Sequence, residues 1–115
     1  MVEVIYTEEF ETWWGDLTEG QQEDVGAIVD ALAERGVGLR FPLCSRIRSS
    51  RFAMRELRIQ SGGNPLRVFY VFDPKQQAVL LVGGAKSGKD RFYAEMVPKA
   101  DSIYEAYLKE TKQGK

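Results

Sequence analysis

The sequence predicts an α+β domain in which two N-terminal helices pack on a small antiparallel β-sheet and a C-terminal helix follows. Three patterns lead to this fold class. Apolar residues recur at helical spacing before residue 36, three β-rich segments with short turns span residues 54–83, and a second helical stripe runs from 92 to 108. The 115 residues suffice for one domain with its own core but not for two, so residues 1–115 are assigned to a single domain.

The N-terminal third is predicted to contain one short strand and two helices. Apolar and polar residues alternate in residues 2–6, which is typical of a strand. Thr7 begins a helix that runs to about Leu17, with acidic residues in its first turn, where the helix dipole favours them. Thr18 and Gln21 have the spacing of a capping box for a second helix, and Gly36 is its expected end.

The rest of the chain is predicted to form a loop, three strands and a helix. Residues 36–52 are rich in Gly, Ser and Arg and should form the loop. Strands are predicted at residues 54–60, 65–73 and 78–83, and the last of these, which is apolar, is expected to be central. Because only short turns connect them, these strands should pair antiparallel. Asp90 can cap the last helix, which Pro98 should kink or restart.

The composition excludes several classes of protein. A single cysteine, Cys44, cannot form an internal disulfide and is typical of a reducing compartment, so we expect a cytoplasmic protein. The absence of histidine excludes imidazole-based catalysis, and no metal or other cofactor is expected. The longest apolar run, residues 78–82, is far shorter than the roughly 20 residues that span a bilayer, so no membrane partner is expected.

Charge is distributed unevenly, although the formal net charge is only -1. Residues 1–39 contain ten acidic side chains and one basic side chain, whereas residues 40–91 contain eleven basic and three acidic ones. Eight of those eleven bases are Arg, whose planar guanidinium suits forked contacts to phosphate and stacking on bases. This asymmetry favours a polyanionic partner over a set of merely solvated charges.

One segment resembles a nucleotide-binding phosphate loop but departs from the motif. Residues 83–90 read GGAKSGKD, and Asp90 stands where the motif requires a Ser or Thr hydroxyl for magnesium. Only 25 residues follow Asp90, too few for a parallel sheet with crossover helices. Nucleotide binding is therefore not expected.

Four sequence motifs, taken in order, resemble the RelE/ParE toxin superfamily. They are MRELR at 54–58, LRVFY at 66–70, VLLVGGAK at 79–86, and a last segment from Tyr93 that continues as VPKADSIY at 97–104. The similarity is strongest to the phage-derived, HigB-like branch and covers residues 2–108. It implies a RelE-like fold.

The resemblance also implies a function. Toxins of this kind belong to type II toxin–antitoxin pairs and cleave mRNA on the ribosome, and a cognate antitoxin, here expected to be a helix-turn-helix protein, blocks them. Two alternatives remain open: a ParE-like toxin that inhibits gyrase, and a non-catalytic phage-derived interaction protein.

Metal-free cleavage of RNA requires a base for the 2′-hydroxyl, an acid for the leaving 5′-oxygen and cations for the phosphorane. Arg58 and Arg67 lie on strands joined by a short turn and, by the resemblance, match two strand arginines of the toxins. Lys86 matches a basic position of the family, and Lys89 and Tyr93 are further catalytic candidates. We expect Arg58, Arg67 and Lys86 to gather in one positive hollow.

Each of these assignments has a structural alternative. Either strand arginine can form an ion pair with Glu56 or Asp73, and Tyr93 can belong to the core. A second group of side chains is expected to contact RNA or the ribosome: Arg46, Arg48, Arg51, Arg55 and Arg91.

Overall fold

The computed structural model describes residues 1–88 and 90–113, with the side chain of Asp90 excepted. Its elements are β1 (Val4–Tyr6), α1 (Glu8–Gly15), α2 (Glu19–Arg35), a 3₁₀ turn (Gly36–Gly38), β2 (Cys44–Arg46), β3 (Met54–Ser61), β4 (Asn64–Phe72), β5 (Ala78–Ala85) and α3 (Asp90–Thr111). The strands form one five-stranded sheet in the order β1-β5-β4-β3-β2. The predicted α+β class is confirmed.

The two N-terminal helices begin where the sequence predicts, because their caps satisfy free backbone N–H groups. The Thr7 hydroxyl accepts a hydrogen bond from the Phe10 N–H at 3.2 Å. At α2 the capping box is complete: the Gln21 N–H donates to the Thr18 hydroxyl, and the Thr18 N–H donates to the Gln21 side chain. Gly36 ends α2 with a φ of +57°, a conformation that favours glycine.

The sheet differs from the sequence prediction in two respects. It is mixed rather than antiparallel throughout, because β1 runs parallel to β5. The segment predicted as a loop contains β2, a three-residue strand that pairs with β3 and has no apolar alternation to reveal it. β5 lies inside the sheet as expected, although β4 is the middle strand.

For the last helix, the sequence left a kink and a restart at Pro98 as alternatives, and the structure excludes the restart. α3 is one continuous element from Asp90 to Thr111 with Pro98 inside it, so the helix does not restart there. Proline removes only one backbone donor, and the neighbouring buried residues Val97 and Ala100 hold the helix against the sheet. Within the described residues, no helix is long and apolar enough to cross a membrane.

Alternation along the strands sends side chains into two cores on opposite faces of the sheet. Leu57 of β3 packs with Phe10 of α1 and Leu32 of α2. Phe69 of β4 packs with Val97 of α3 on the other face. Even-numbered residues of β3 therefore face α3, and odd-numbered ones face α1 and α2.

The first two glycines of the segment that resembles a phosphate loop belong to β5 rather than to a loop. Gly83 pairs with Val68 and Gly84 with Arg67. A Cβ on Gly83 would lie 2.5 Å from Cε3 of Trp13, so this position must be glycine for the indole to pack on the strand. The backbone of these two glycines is therefore paired within the sheet.

Candidate functional site

Arg58 and Arg67 lie directly opposite each other on adjacent strands. β3 and β4 pair antiparallel, and the register places these two residues side by side on the face that α3 covers. Like charges in this arrangement repel each other, so the pair needs an anion nearby. Glu56 provides it, because it lies two residues before Arg58 and therefore on the same face of β3.

The Glu56 carboxylate is the centre of a small network. Its Oε2 accepts hydrogen bonds from the Ser45 hydroxyl at 2.6 Å and from a terminal nitrogen of Arg58 at 3.3 Å. Its Oε1 accepts a hydrogen bond from the Tyr93 hydroxyl at 2.8 Å and lies 3.6 Å from Nε of Arg67. One carboxylate thus serves two arginines, and the three charged groups together keep one positive charge.

The two arginines differ in their access to solvent. The Arg67 side chain is only 8% exposed, and its terminal nitrogen donates to the Leu66 carbonyl at 3.1 Å. Its Nε finds no hydrogen-bond acceptor within the described part of the chain. Arg58 is 31% exposed, and its guanidinium lies 5.2 Å from the centre of the Phe41 ring. Arg58 is therefore accessible enough to contact a bound anion. Arg67 is buried and can act on such an anion only through the electrostatic field of its charge.

Tyr93 joins the first turns of α3 to this network. Burial raises the pKa of Tyr93, and so does the hydrogen bond to Glu56, while the nearby Arg67 acts in the opposite direction. The phenol therefore keeps its proton near neutral pH and is a donor. Lys86 follows β5, and its Nζ lies 5.9 Å from the centre of the Tyr93 ring. Arg58, Arg67, Lys86 and Tyr93 are thus brought together, with Glu56 among them.

Among the other predicted site residues, those that the structure describes form no ion pair or hydrogen bond with the Glu56 carboxylate. Lys89 lies outside the described residues. Arg46, Arg48 and Arg55 line a hollow at the β2 edge of the sheet. Arg51 pairs with Glu105 at 3.1 Å and approaches Asp101 at 3.9 Å, and Arg91 is exposed in the first turn of α3. Asp73 pairs with neither strand arginine.

Sequence reasoning assigned no functional role to Glu56, Ser45 or Phe41. The signal for Glu56 was its two-residue spacing from Arg58, which places both side chains on one face of a strand. Ser45 and Phe41 could not be found in this way because β2 was not predicted. Among the residues that the structure describes, no three His, Cys, Asp or Glu side chains lie close enough together to hold a metal ion.

Comparison with known proteins identifies the family. Residues 12–105 match the family described as phage derived protein Gp49-like (DUF891). The chain belongs to this family. Membership in the Gp49-like family confirms the resemblance to phage-derived proteins, and the matched range includes every described residue of the Glu56 cluster.

Two Mycobacterium tuberculosis (strain ATCC 25618 / H37Rv) proteins are similar to this Gp49-like chain. One is named "Putative toxin HigB2" and is 35% identical over 104 residues, which are 88% of this chain and 52% of that protein. The other is named "Putative toxin HigB3" and is 35% identical over 107 residues, which are 91% of this chain and 92% of that protein. The chain thus spans about half of the first relative and nearly all of the second. Both names describe those two proteins as toxins.

Proposed function

We propose that this protein is the toxin of a type II toxin–antitoxin pair and that it cleaves mRNA on the ribosome, in the cytoplasm. Its similarity to the two HigB-named proteins supports the toxin assignment. The observation on which the chemistry depends is the gathering of Arg58, Arg67 and Tyr93 around Glu56. A helix-turn-helix antitoxin is the partner that the resemblance implies.

The cluster supplies the groups that RNA cleavage requires. Arg58 contacts the scissile phosphate, and the charges of Arg67 and Lys86 stabilise the phosphorane. Arg67 is too buried to reach far into solvent, so it acts by its fixed charge and by holding Glu56 in place. Lys89 is assigned to phosphate contact on its sequence position alone.

The hydrogen bond between Tyr93 and Glu56 provides the path for proton transfer in the proposed reaction. The 2′-oxygen attacks phosphorus as its proton passes to the Glu56 carboxylate, and the bond from phosphorus to the 5′-oxygen breaks. Tyr93 gives its proton to the leaving 5′-oxygen and recovers one from Glu56 across their 2.8 Å contact. The products are a 2′,3′-cyclic phosphate and a 5′-hydroxyl, and the protein returns to its initial state.

Inducible expression with mapping of RNA ends tests this proposal. We expect growth arrest and new 5′-hydroxyl ends inside codons with the wild-type chain, and neither with Arg58→Ala. Arg35→Ala is the matched control, because Arg35 is an exposed arginine at the end of α2, outside the cluster. Arrest with intact mRNA would refute the ribonuclease, and a DNA-damage response in the same cells would favour gyrase as the target.

One observation favours a second candidate, a non-catalytic interaction protein. The Arg67 side chain is nearly fully buried and forms an ion pair with Glu56, which also accepts three hydrogen bonds, and such a satisfied network is typical of a structural role. This candidate predicts no arrest at any expression level. A helix-turn-helix reading frame beside the gene would favour the toxin.

A further inference from the structure

The β2 edge of the sheet has a basic hollow of about 770 Å³, separate from the Glu56 cluster but next to it. Four arginines line it: Arg40, Arg46, Arg48 and Arg55. Ser45 also lines this hollow and donates its hydroxyl hydrogen bond to Glu56, so the two sites share a wall. Phe41 is part of the same lining and lies under Arg58.

In the part of the chain that the structure describes, no carboxylate lies within 4.0 Å of the charged nitrogens of the four arginines in the hollow. β2 and β3 pair so that Arg46 lies directly opposite Arg55. Across the described residues, the ion pairs within 4.0 Å involve Arg51, Arg58 and Arg67, and none involves the four arginines of the hollow. Opposed like charges destabilise a sheet, and an external anion removes that cost.

One of the four arginines is held in place. A terminal nitrogen of Arg55 donates to the Val37 carbonyl at 3.4 Å, and its guanidinium lies 5.9 Å from the centre of the Phe72 ring. Arg40, Arg46 and Arg48 are exposed. The hollow thus combines one oriented guanidinium with three that can adjust to a chain of phosphates.

Phe41 is the aromatic side chain at the boundary between the hollow and the cluster. It is 71% exposed, the largest exposure of any aromatic ring in the described chain. Arg58 covers part of the ring at 5.2 Å, and the rest is open to solvent. An exposed ring among guanidinium groups is the arrangement on which unpaired bases stack in proteins that bind single strands.

We propose that the hollow and Phe41 form a binding subsite for single-stranded RNA, in which the arginines follow the phosphates and Phe41 stacks on a base. A strand held there passes over Ser45 and Phe41 and delivers the next phosphate to Arg58. The delivery step rests on the proposed ribonuclease function, whereas the binding itself does not.

Fluorescence anisotropy with a labelled 2′-O-methyl RNA octamer tests the subsite, because this strand cannot be cleaved through a 2′-hydroxyl. We expect Phe41→Ala to weaken binding about tenfold, Phe41→Leu to weaken it nearly as much, and Phe41→Trp to retain it. Phe41 is exposed, so thermal melting should show all three variants folded. Tyr6→Ala is the matched control, since Tyr6 is a half-exposed ring in the acidic part of the chain.

Salt titration tests the arginines separately. Arg46→Gln should reduce the slope of log Kd against log salt by about 0.7, the value for one phosphate contact with a single strand. Lys75→Gln, at an exposed turn position, should leave the slope unchanged. A DNA octamer of the same sequence that binds equally well would contradict RNA as the specific ligand of the subsite.

Three results would overturn the subsite. The first is equal binding of the octamer by the wild type and by Phe41→Ala, and the second is an unchanged salt slope for Arg46→Gln. The third is that polyglutamate displaces the octamer as effectively as unlabelled RNA does. The last would identify the hollow as a site for an acidic protein. If octamer binding falls as expected but induced cells show no cut mRNA, the subsite stands and the ribonuclease proposal fails.

Discussion

The hydroxyl of Tyr93 on α3 donates a 2.8 Å hydrogen bond to Oε1 of Glu56 on β3. The two residues are 37 positions apart in sequence, and this contact ties the start of the last helix to the face of the sheet where Arg58 and Arg67 meet. Burial and this bond both raise the pKa of Tyr93, so the phenol stays protonated and the carboxylate keeps a donor. The contact holds the phenol against the carboxylate, and in the proposed reaction a proton would pass between these two groups.

Replacing Tyr93 by Phe should remove activity while the fold remains. Loss of the proposed acid should slow mRNA cleavage by about 100-fold or more, and loss of one hydrogen bond to a charged group should lower the free energy of unfolding by about 2 kcal/mol. Mapping of RNA ends and urea unfolding measure the two effects. Tyr104→Phe, on the same helix but in the core, should leave cleavage unchanged. Full arrest with Tyr93→Phe would exclude Tyr93 as the acid.

Replacing Glu56 by Gln should destabilise the protein strongly. Arg67 would remain buried without a counter-charge, and breaking a buried ion pair in this way costs about 3 kcal/mol. Urea unfolding measures the change, and a double-mutant cycle with Arg67→Met should recover part of the loss because both charges are then gone. Glu105→Gln breaks only the exposed pair with Arg51 and should have no measurable effect. Equal effects of the two Gln variants would contradict a buried ion pair.

Asp73 should make stability sensitive to acid. Burial alone would raise its pKa, but hydrogen bonds from the Gln77 backbone, the Tyr107 hydroxyl and the Gln77 side chain outweigh burial and lower it below the usual 3.8. A carboxyl whose pKa is lower in the folded state than in the unfolded state stabilises the fold. This stabilisation is complete at a pH above the pKa of the unfolded state, and it disappears as the pH falls through the pKa of the folded state.

Thermal melting between pH 2.5 and pH 6 measures this effect, in roughly the range where carboxyl groups titrate. We expect the wild-type Tm to decrease once the pH is lower than about 4. The Asp73→Asn variant should have a lower Tm at pH 6 and a smaller decrease in acid. Tyr107→Phe removes one donor and should give an intermediate curve. An Asp73→Asn curve parallel to that of the wild type would show that other carboxyls set the acid limit.

Gly83→Ala should destabilise the fold, because the added methyl group would overlap the Trp13 indole at 2.5–2.6 Å. Overpacking of this kind costs about 1–3 kcal/mol, measured by urea unfolding. Gly20→Ala is the matched control: it lies in the first turn of α2 with no atom near the new methyl, so it should be neutral or stabilising by up to about 1 kcal/mol. A Gly83→Ala variant as stable as the wild type would mean that the indole moves aside at no cost.

Local patterns were sufficient to predict most of the elements. The Thr18 and Gln21 capping box, the end of α2 at Gly36 and the three long strands all depend on residues close together in sequence, and such signals can be read directly. The parallel pairing of β1 with β5 and the short strand β2 could not be predicted, since both depend on backbone partners far along the chain.

The sequence by itself determined that Arg58 and Arg67 would lie on adjacent strands of an α+β domain, because short turns and alternation leave little choice of pairing. Only the tertiary structure decided that both arginines share one carboxylate, that Arg67 is buried while Arg58 stays accessible, and that Tyr93 reaches Glu56 from another element. The physical reason is the separation in sequence over which each interaction acts. Propensity and periodicity depend on residues that are close in sequence, whereas burial and charge pairing depend on distant segments that meet only when the chain has folded.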